Sequence, residues 1–464
     1  MPIFPLRRRL LAILTATFPS WRNPILSQSF LDWRVLLLTS VWAGSVAGLF
    51  FSIPMLDHIV AGGLLLFVLG TLPQARLETK VLVGIGSTVT LILIFTIADP
   101  EAAWRGLERT LIFAGLLPTL KMTREVARLM PSVRKSQDRL AALPDSAADV
   151  GITIGATVFG AVLNTGSFAL VSAVVPADAS DDRRRSAACA SMRGMSIAVL
   201  WSPFFVGFAV AGTYLPMVQL WEIIPFGFLC VCLAISIALA MFARPFSFGA
   251  VGAALASLQP IASRLGIAAG MVVLVGTFTP LSTLGSILVV MPLLCLIQCV
   301  RRPDALRPVL EKTAEGIKGL GDDLALVAIA IVVGTVAGEA DSVIVHVAPL
   351  LEGGLPAPVL LAMMIGIQLV PAIIGIHPII TGTIFLAALT SLDHGVLPLA
   401  LYEAMLVGWG LGAMVSIASL SVVTAGSMFG VPPARIAISR NLAYVIVIWA
   451  VMVPILSILH YAFI

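Results

Sequence analysis

Apolar runs long enough to enter a bilayer follow one another along almost the whole chain, separated by short polar or basic segments. A hydrocarbon core about 30 Å thick needs roughly 20 helical residues. Runs of that kind occupy about 35–54, 56–73, 80–98, 106–120, 187–215, 219–243, 265–279, 282–300, 322–338, 400–428 and 441–461. The pattern predicts an all-α polytopic membrane protein with about 11 spans.

Two further stretches are equally apolar but do not read as single crossings. The first, 149–178, is broken in the middle by Asn164-Thr165-Gly166-Ser167 and bounded on both sides by positively charged segments. One crossing cannot leave both ends on the same side, whereas a re-entrant hairpin can. Two arms of roughly 12 residues reach about 18 Å, so the tip would stop near mid-membrane. Free backbone there is tolerable only if protein, water or a solute satisfies it, and Asn, Thr, Gly and Ser provide the turn and the polar groups. The competing reading is a kinked helix with a polar packing patch. A second hairpin is expected over about 359–391, with the sequence Gly375-Ile376-His377-Pro378 followed by Thr381-Gly382-Thr383 at its tip. Each hairpin is followed by a span with an interrupted backbone: 187–215 is broken at Trp201-Ser202-Pro203, where proline removes an N–H, and 400–428 is rich in glycine.

These features recur in order. An offset of 216 lays Thr165-Gly166-Ser167 on Thr381-Gly382-Thr383 and Leu170 on Leu386. An offset of 214 lays Gly194 on Gly408, Ser202 on Ser416 and Ala211-Gly212-Thr213 on Ala425-Gly426-Ser427. The chain therefore reads as a basic interfacial amino terminus, 1–33, and two repeats, 34–248 and 249–464. An amphipathic basic arm at 121–143 and an apolar arm at 342–358 precede the two hairpins, a Gly- and Ala-containing connector fills 245–263, and a basic loop fills 301–318. Asp149 reads as a helix cap.

Composition and charge sharpen the picture. Apolar residues make up 59% of the chain, charged residues 11%, and mean hydropathy is +1.05. Of the 28 Lys and Arg residues, alternating crossings put only Arg105 and Arg109 outside and Arg193 within a span. All others fall on the amino-terminal side, which is cytoplasmic by the positive-inside rule. An integral inner-membrane protein follows, with its carboxyl end outside and its halves inverted. The five cysteines lack metal-type spacing.

In-plane arm, hairpin and broken helix, occurring twice and inverted, resemble the ion transporter superfamily, and within it the dicarboxylate/sodium symporter fold. That family carries Ser-Asn-Thr at each tip. Here Leu163-Asn164-Thr165 stands in the first, and His377-Pro378 with Thr381-Gly382-Thr383 in the second. The resemblance implies a homodimer, a central scaffold and an elevator-like transport domain.

Candidate substrate-binding residues are Asn164, Thr165, Gly166, Ser167, Arg193, Ser202, His377, Pro378, Thr381, Gly382 and Thr383. Arg193 suits an oxyanion through its planar fork or snorkels to the cytoplasmic face. Glu403 reads as a proton carrier or an exposed interfacial acid, and His377 as a ligand group or a partner for free backbone. Asn164, Thr165, Thr381 and Glu403 are the candidates for ion coupling. Sodium needs only oxygen ligands, which the tips offer, whereas protons need a titratable group. No ATP-binding loop, metal cluster, nucleophile with its base, or nucleic-acid-binding feature is recognisable. The expected function is ion-driven transport of a small organic anion without a resident cofactor. The alternative is a membrane-embedded enzyme acting on a lipid-linked substrate.

Overall fold

The computed structural model describes residues 32–51, 53, 55–96, 98–176, 178–243, 247–340, 355–392 and 394–463. Among them every regular element is helical. The first five long helices are α1 (Trp33–Gly48), α2 (Leu56–Thr71), α3 (Leu77–Thr96), α4 (Pro100–Arg109) and α5 (Leu111–Arg128). A short helix α6 (Pro131–Ala141) precedes α7 (Asp145–Leu163) and α8 (Ser167–Ser172), which are joined by a 3-10 turn. Then come α9 (Asp181–Ile197), α10 (Val206–Tyr214), α11 (Leu220–Phe242), α12 (Phe248–Phe278) and α13 (Thr283–Arg301). The remainder comprises α14 (Pro303–Lys318), α15 (Gly321–Gly338), α16 (Ala357–Ile373), α17 (Pro378–Thr390), α18 (Pro398–Val415), α19 (Leu420–Phe429), α20 (Pro433–Ala437) and α21 (Asn441–Phe463).

Nine helical stretches among the described residues are long and apolar enough to cross a membrane. Along α3, Leu77, Ile85, Ile92 and Phe95 are exposed, an apolar stripe that is stable only against hydrocarbon. The chain is membrane-embedded. Eight of the eleven expected spans are among them, and the ninth stretch is Ser146–Ser172, expected as the first hairpin. The three that do not qualify fail because α1 has only 16 residues, α5 carries its charges inside the helix, and α9 and α10 are separate short pieces.

Several segments differ from the sequence expectation. The fourth span does not stop near 120; α5 continues to Arg128, because nothing in Lys121-Met122-Thr123-Arg124 breaks a helix. The surface arm is therefore only α6. The connector 245–263 is the first half of α12, started by the Ser247 side chain, which accepts the Ala250 N–H. The basic loop 301–318 is α14, with Pro303 at its first turn. The interfacial amino terminus, up to residue 31, and most of the arm at 342–358 lie outside the described residues.

Charged pairs gather at two ends of the bundle. At one end Asp32 pairs with Arg34 and lies 3.8 Å from Lys318, while Arg76 reaches Asp322. The Arg34 hydrogen bond pulls the Asp32 carboxyl down to about 2. At the other end Arg105 binds Glu339 at 2.6 Å and His58 meets Glu108.

The chain folds back sharply twice. After α7 the turn Asn164–Gly166 reverses direction, and Val171 of α8 packs 3.5 Å from where a Gly155 Cβ would stand. The two arms are unequal, 19 and 6 residues, rather than about 12 each. Asp149 is no cap: it lies inside α7, paired with Arg183 and accepting the Ser186 hydroxyl at 2.9 Å. The second fold-back joins α16 to α17, whose Gly382 abuts the Gln368 side chain of α16.

Close helix contact around the first fold-back depends on glycine. A Cβ at Gly194 of α9 would overlap the Thr153 carbonyl oxygen of α7, a backbone that cannot yield as a flexible side chain can. Gly194→Val should destabilise the protein by about 3 kcal/mol or more, read as thermal unfolding in detergent. An unchanged melting temperature would mean that α7 and α9 do not touch.

Candidate functional site

The two turns and the two helix breaks converge on one cavity of about 160 Å³, room for about five waters or a small organic molecule. Asn164 and Thr165 reach it from the first turn, and His377 and Pro378 from the second. The break between α9 and α10 contributes Phe204, Phe205 and Val206. The break between α18 and α19 contributes Ser419, Leu420 and Ser421.

These breaks aim helix N-termini inward. The first turn of α10 has no side-chain cap, so its N–H groups are left for a ligand. Ser419 caps α19 by accepting the Val422 N–H at 3.1 Å, and its hydroxyl donates to the Ala413 carbonyl at 2.7 Å. The first residues of α17 line the same space. Converging N-termini supply partial positive charge and favour an anion.

Full positive charge comes from α5. Lys121 and Arg124, three residues apart and hence on one face, both line the cavity. The Arg124 Nε is buried and has no hydrogen-bond partner. Its neighbour Glu125 is engaged by Arg128 at 3.0 Å. Asp323 of α15 is the one carboxylate lining the cavity among the described residues, so that its lining carries more basic than acidic groups. Neither Lys121 nor Arg124 is among the residues expected from sequence. Their basic, amphipathic surroundings read as a surface arm, and the available signal was the lack of any helix breaker between Leu120 and Pro131.

The turn residues are poised for a ligand. Asn164 has φ 51° and ψ −128°, one of two non-glycine residues with positive φ among those described. Such strain persists only where the surroundings impose it, and it concentrates at functional sites. The Asn164 carbonyl accepts the Ser167 hydroxyl at 2.7 Å, leaving the Asn164 amide uncommitted. Ser196 Oγ, on the wall from α9, is buried without a partner. His377 caps α17: its Nδ1 accepts the Ile379 N–H at 3.2 Å, and its ring stands edge-on to Trp409 at 5.6 Å. A ring nitrogen that accepts carries no proton, so the imidazole is neutral and its Nε2–H remains as a donor.

The other sequence candidates lie elsewhere. Gly166 does not line the cavity; a Cβ there would stand 3.5 Å from the Arg124 Cδ. Ser202 is buried and donates to the Ala161 carbonyl, pinning the break to α7. Thr381, Gly382 and Thr383 are not at the second tip but one turn inside α17, with Thr383 fully buried. Glu403 is fully buried in α18 beside Gly227, without a hydrogen-bond partner, and does not line the cavity.

Arg193 also faces away from the cavity. Its Nη1 donates to Asn441 Oδ1 at 2.6 Å, and its guanidinium lies 3.9 Å from the centre of the Phe242 ring. Arg193→Gln should therefore cost about 2 kcal/mol of stability and leave ligand affinity unchanged in a binding assay. Lost affinity in a stably folded variant would return Arg193 to the binding site.

No protein-family model and no curated protein matches this chain.

Proposed function

We propose that the protein is a secondary active transporter of a small organic anion of carboxylate type. The observation that carries this reading is the convergence of two chain reversals and two broken helices on one small cavity furnished with Lys121 and Arg124. Broken helices in lipid are tolerable where the freed backbone meets a solute, and transporters use such half-helices to bind anions.

The reading includes two inverted repeats with re-entrant hairpins. Equivalent positions under the 214-residue offset support it, since Gly194 packs on the first arm of one reversal and Gly408 on the first arm of the other, against Ile365 and Gln368. Asp149, 14 residues before the end of α7, is ion-paired with Arg183, a charged pair that suits the membrane surface better than its centre. In this topology the amino end is cytoplasmic and the carboxyl end outside an inner membrane. Single cysteines at Asp182 and Ser391 should then label from opposite faces, and labelling of both from one face would overturn the inversion. A homodimer and elevator-like movement follow from the resemblance.

Sodium is the proposed coupling ion. Glu403 lies off the cavity and His377 is committed as an acceptor, whereas amide, hydroxyl and carbonyl oxygens are at hand together with the Asp323 carboxylate, which serves equally as an anionic oxygen ligand for the cation. Reconstituted vesicles should take up substrate under an inward sodium gradient with pH clamped, and Glu403→Gln should keep most of that activity. Uptake that follows a proton gradient and disappears in Glu403→Gln would reverse the assignment.

A further inference from the structure

A second and larger cavity adjoins the proposed transport site, the two sharing Val162 and Phe204 in their walls. It measures about 750 Å³, within the range of sites that enclose ligands of drug size or larger. Its body is almost wholly apolar, with walls that include Phe159 and Leu163 of α7, Ile267 of α12 and Leu294 of α13. Trp201, from the break after α9, closes one side, its ring edge-on to Phe228 at 5.6 Å.

The charged lining is of one sign. Arg264, Arg301 and Arg302 border the cavity, and no Asp or Glu does. All three arginines are exposed. Arg302 makes only a long contact, 3.5 Å, to the Leu129 carbonyl, and no ion pair joins Arg264 or Arg301 to an acid among the described residues. A water-soluble anion would gain nothing from the apolar body, and a neutral lipid nothing from three guanidiniums. A molecule with an anionic head and a hydrocarbon tail matches both parts. Basic pockets between membrane helices bind anionic headgroups in this manner.

We propose that this cavity binds one anionic phospholipid, its phosphate on Arg264, Arg301 and Arg302 and an acyl chain between α7 and the α12–α13 pair. The site does not depend on the transport reading. Its walls join the arm that carries the Asn164 turn to helices on the other side of the cavity, so occupancy braces the first chain reversal.

The test uses the full chain in vesicles of phosphatidylcholine containing a small fraction of phosphatidylglycerol brominated on its acyl chains, which quench a tryptophan that they touch. Brominated phosphatidylglycerol should quench at about a tenfold lower fraction than brominated phosphatidylcholine. That preference should be lost both in Trp201→Phe and in the triple variant R264Q/R301Q/R302Q. In neutral detergent the wild type should gain thermal stability from phosphatidylglycerol and not from inorganic phosphate. Equal quenching by the two brominated lipids, a preference that survives the triple change, or equal stabilisation by free phosphate would each overturn the proposal. Should the triple variant fail to fold, the comparison of wild type with Trp201→Phe still decides the matter.

Discussion

Arg124→Gln should lose transport almost completely while the protein still folds. Arg124 lines the cavity and its Nε is buried and unpartnered, so the free protein holds a poorly solvated cation there that an anion would stabilise. Removing one member of a desolvated charged contact costs about 2–5 kcal/mol, which is a loss of roughly 30-fold to several thousand-fold in apparent affinity. Folding should suffer little, because no internal hydrogen bond of this side chain is broken. Arg124→Lys should fall between the two, retaining the charge but losing the planar fork. Initial uptake rates over a range of substrate concentration, with melting temperature as control, check the expectation. Wild-type uptake by Arg124→Gln would remove Arg124 from the site.

The second large effect belongs to Asn164. Alanine there keeps the strained φ of 51° without the short polar side chain that makes such backbone tolerable, at a cost of about 1–3 kcal/mol, and it deletes the amide of a residue that lines the cavity. Transport should be abolished in Asn164→Ala. Glycine relieves the strain but not the missing amide, so Asn164→Gly should fold like the wild type and remain inactive. Activity in the glycine variant would reduce Asn164 to a conformational role.

The interruptions of the apolar pattern marked much of what matters. Asn164-Thr165-Gly166-Ser167 and Trp201-Ser202-Pro203 stand out because nothing in a plain membrane helix calls for them, and both fall at real turns or breaks. In the second reversal the tip ends at His377: Pro378 starts α17 and draws Thr381, Gly382 and Thr383, expected at the tip, into the helix. Lys121 and Arg124 were misplaced because a basic amphipathic segment has the same pattern on a membrane surface as at the end of a helix that enters a polar cavity. Only the path of α5 separates the two. Glu403 and Arg193 invited functional readings as charges within apolar runs. Tertiary packing sets Arg193 on Asn441 and Phe242, away from the cavity, and buries Glu403 completely beside Gly227, so that it is not the exposed interfacial acid that the sequence also allowed.

The most direct test of the anion site is ligand-induced stabilisation of the purified protein by a panel of mono-, di- and tricarboxylates, with and without sodium, in wild type and Arg124→Gln. A bound ligand stabilises the folded state in proportion to the logarithm of its concentration over Kd. At least one carboxylate should raise the melting temperature of the wild type, more strongly with sodium, and leave Arg124→Gln unmoved. No shift from any carboxylate, or the same shift in Arg124→Gln as in the wild type, would contradict the assignment of this cavity to an anionic substrate.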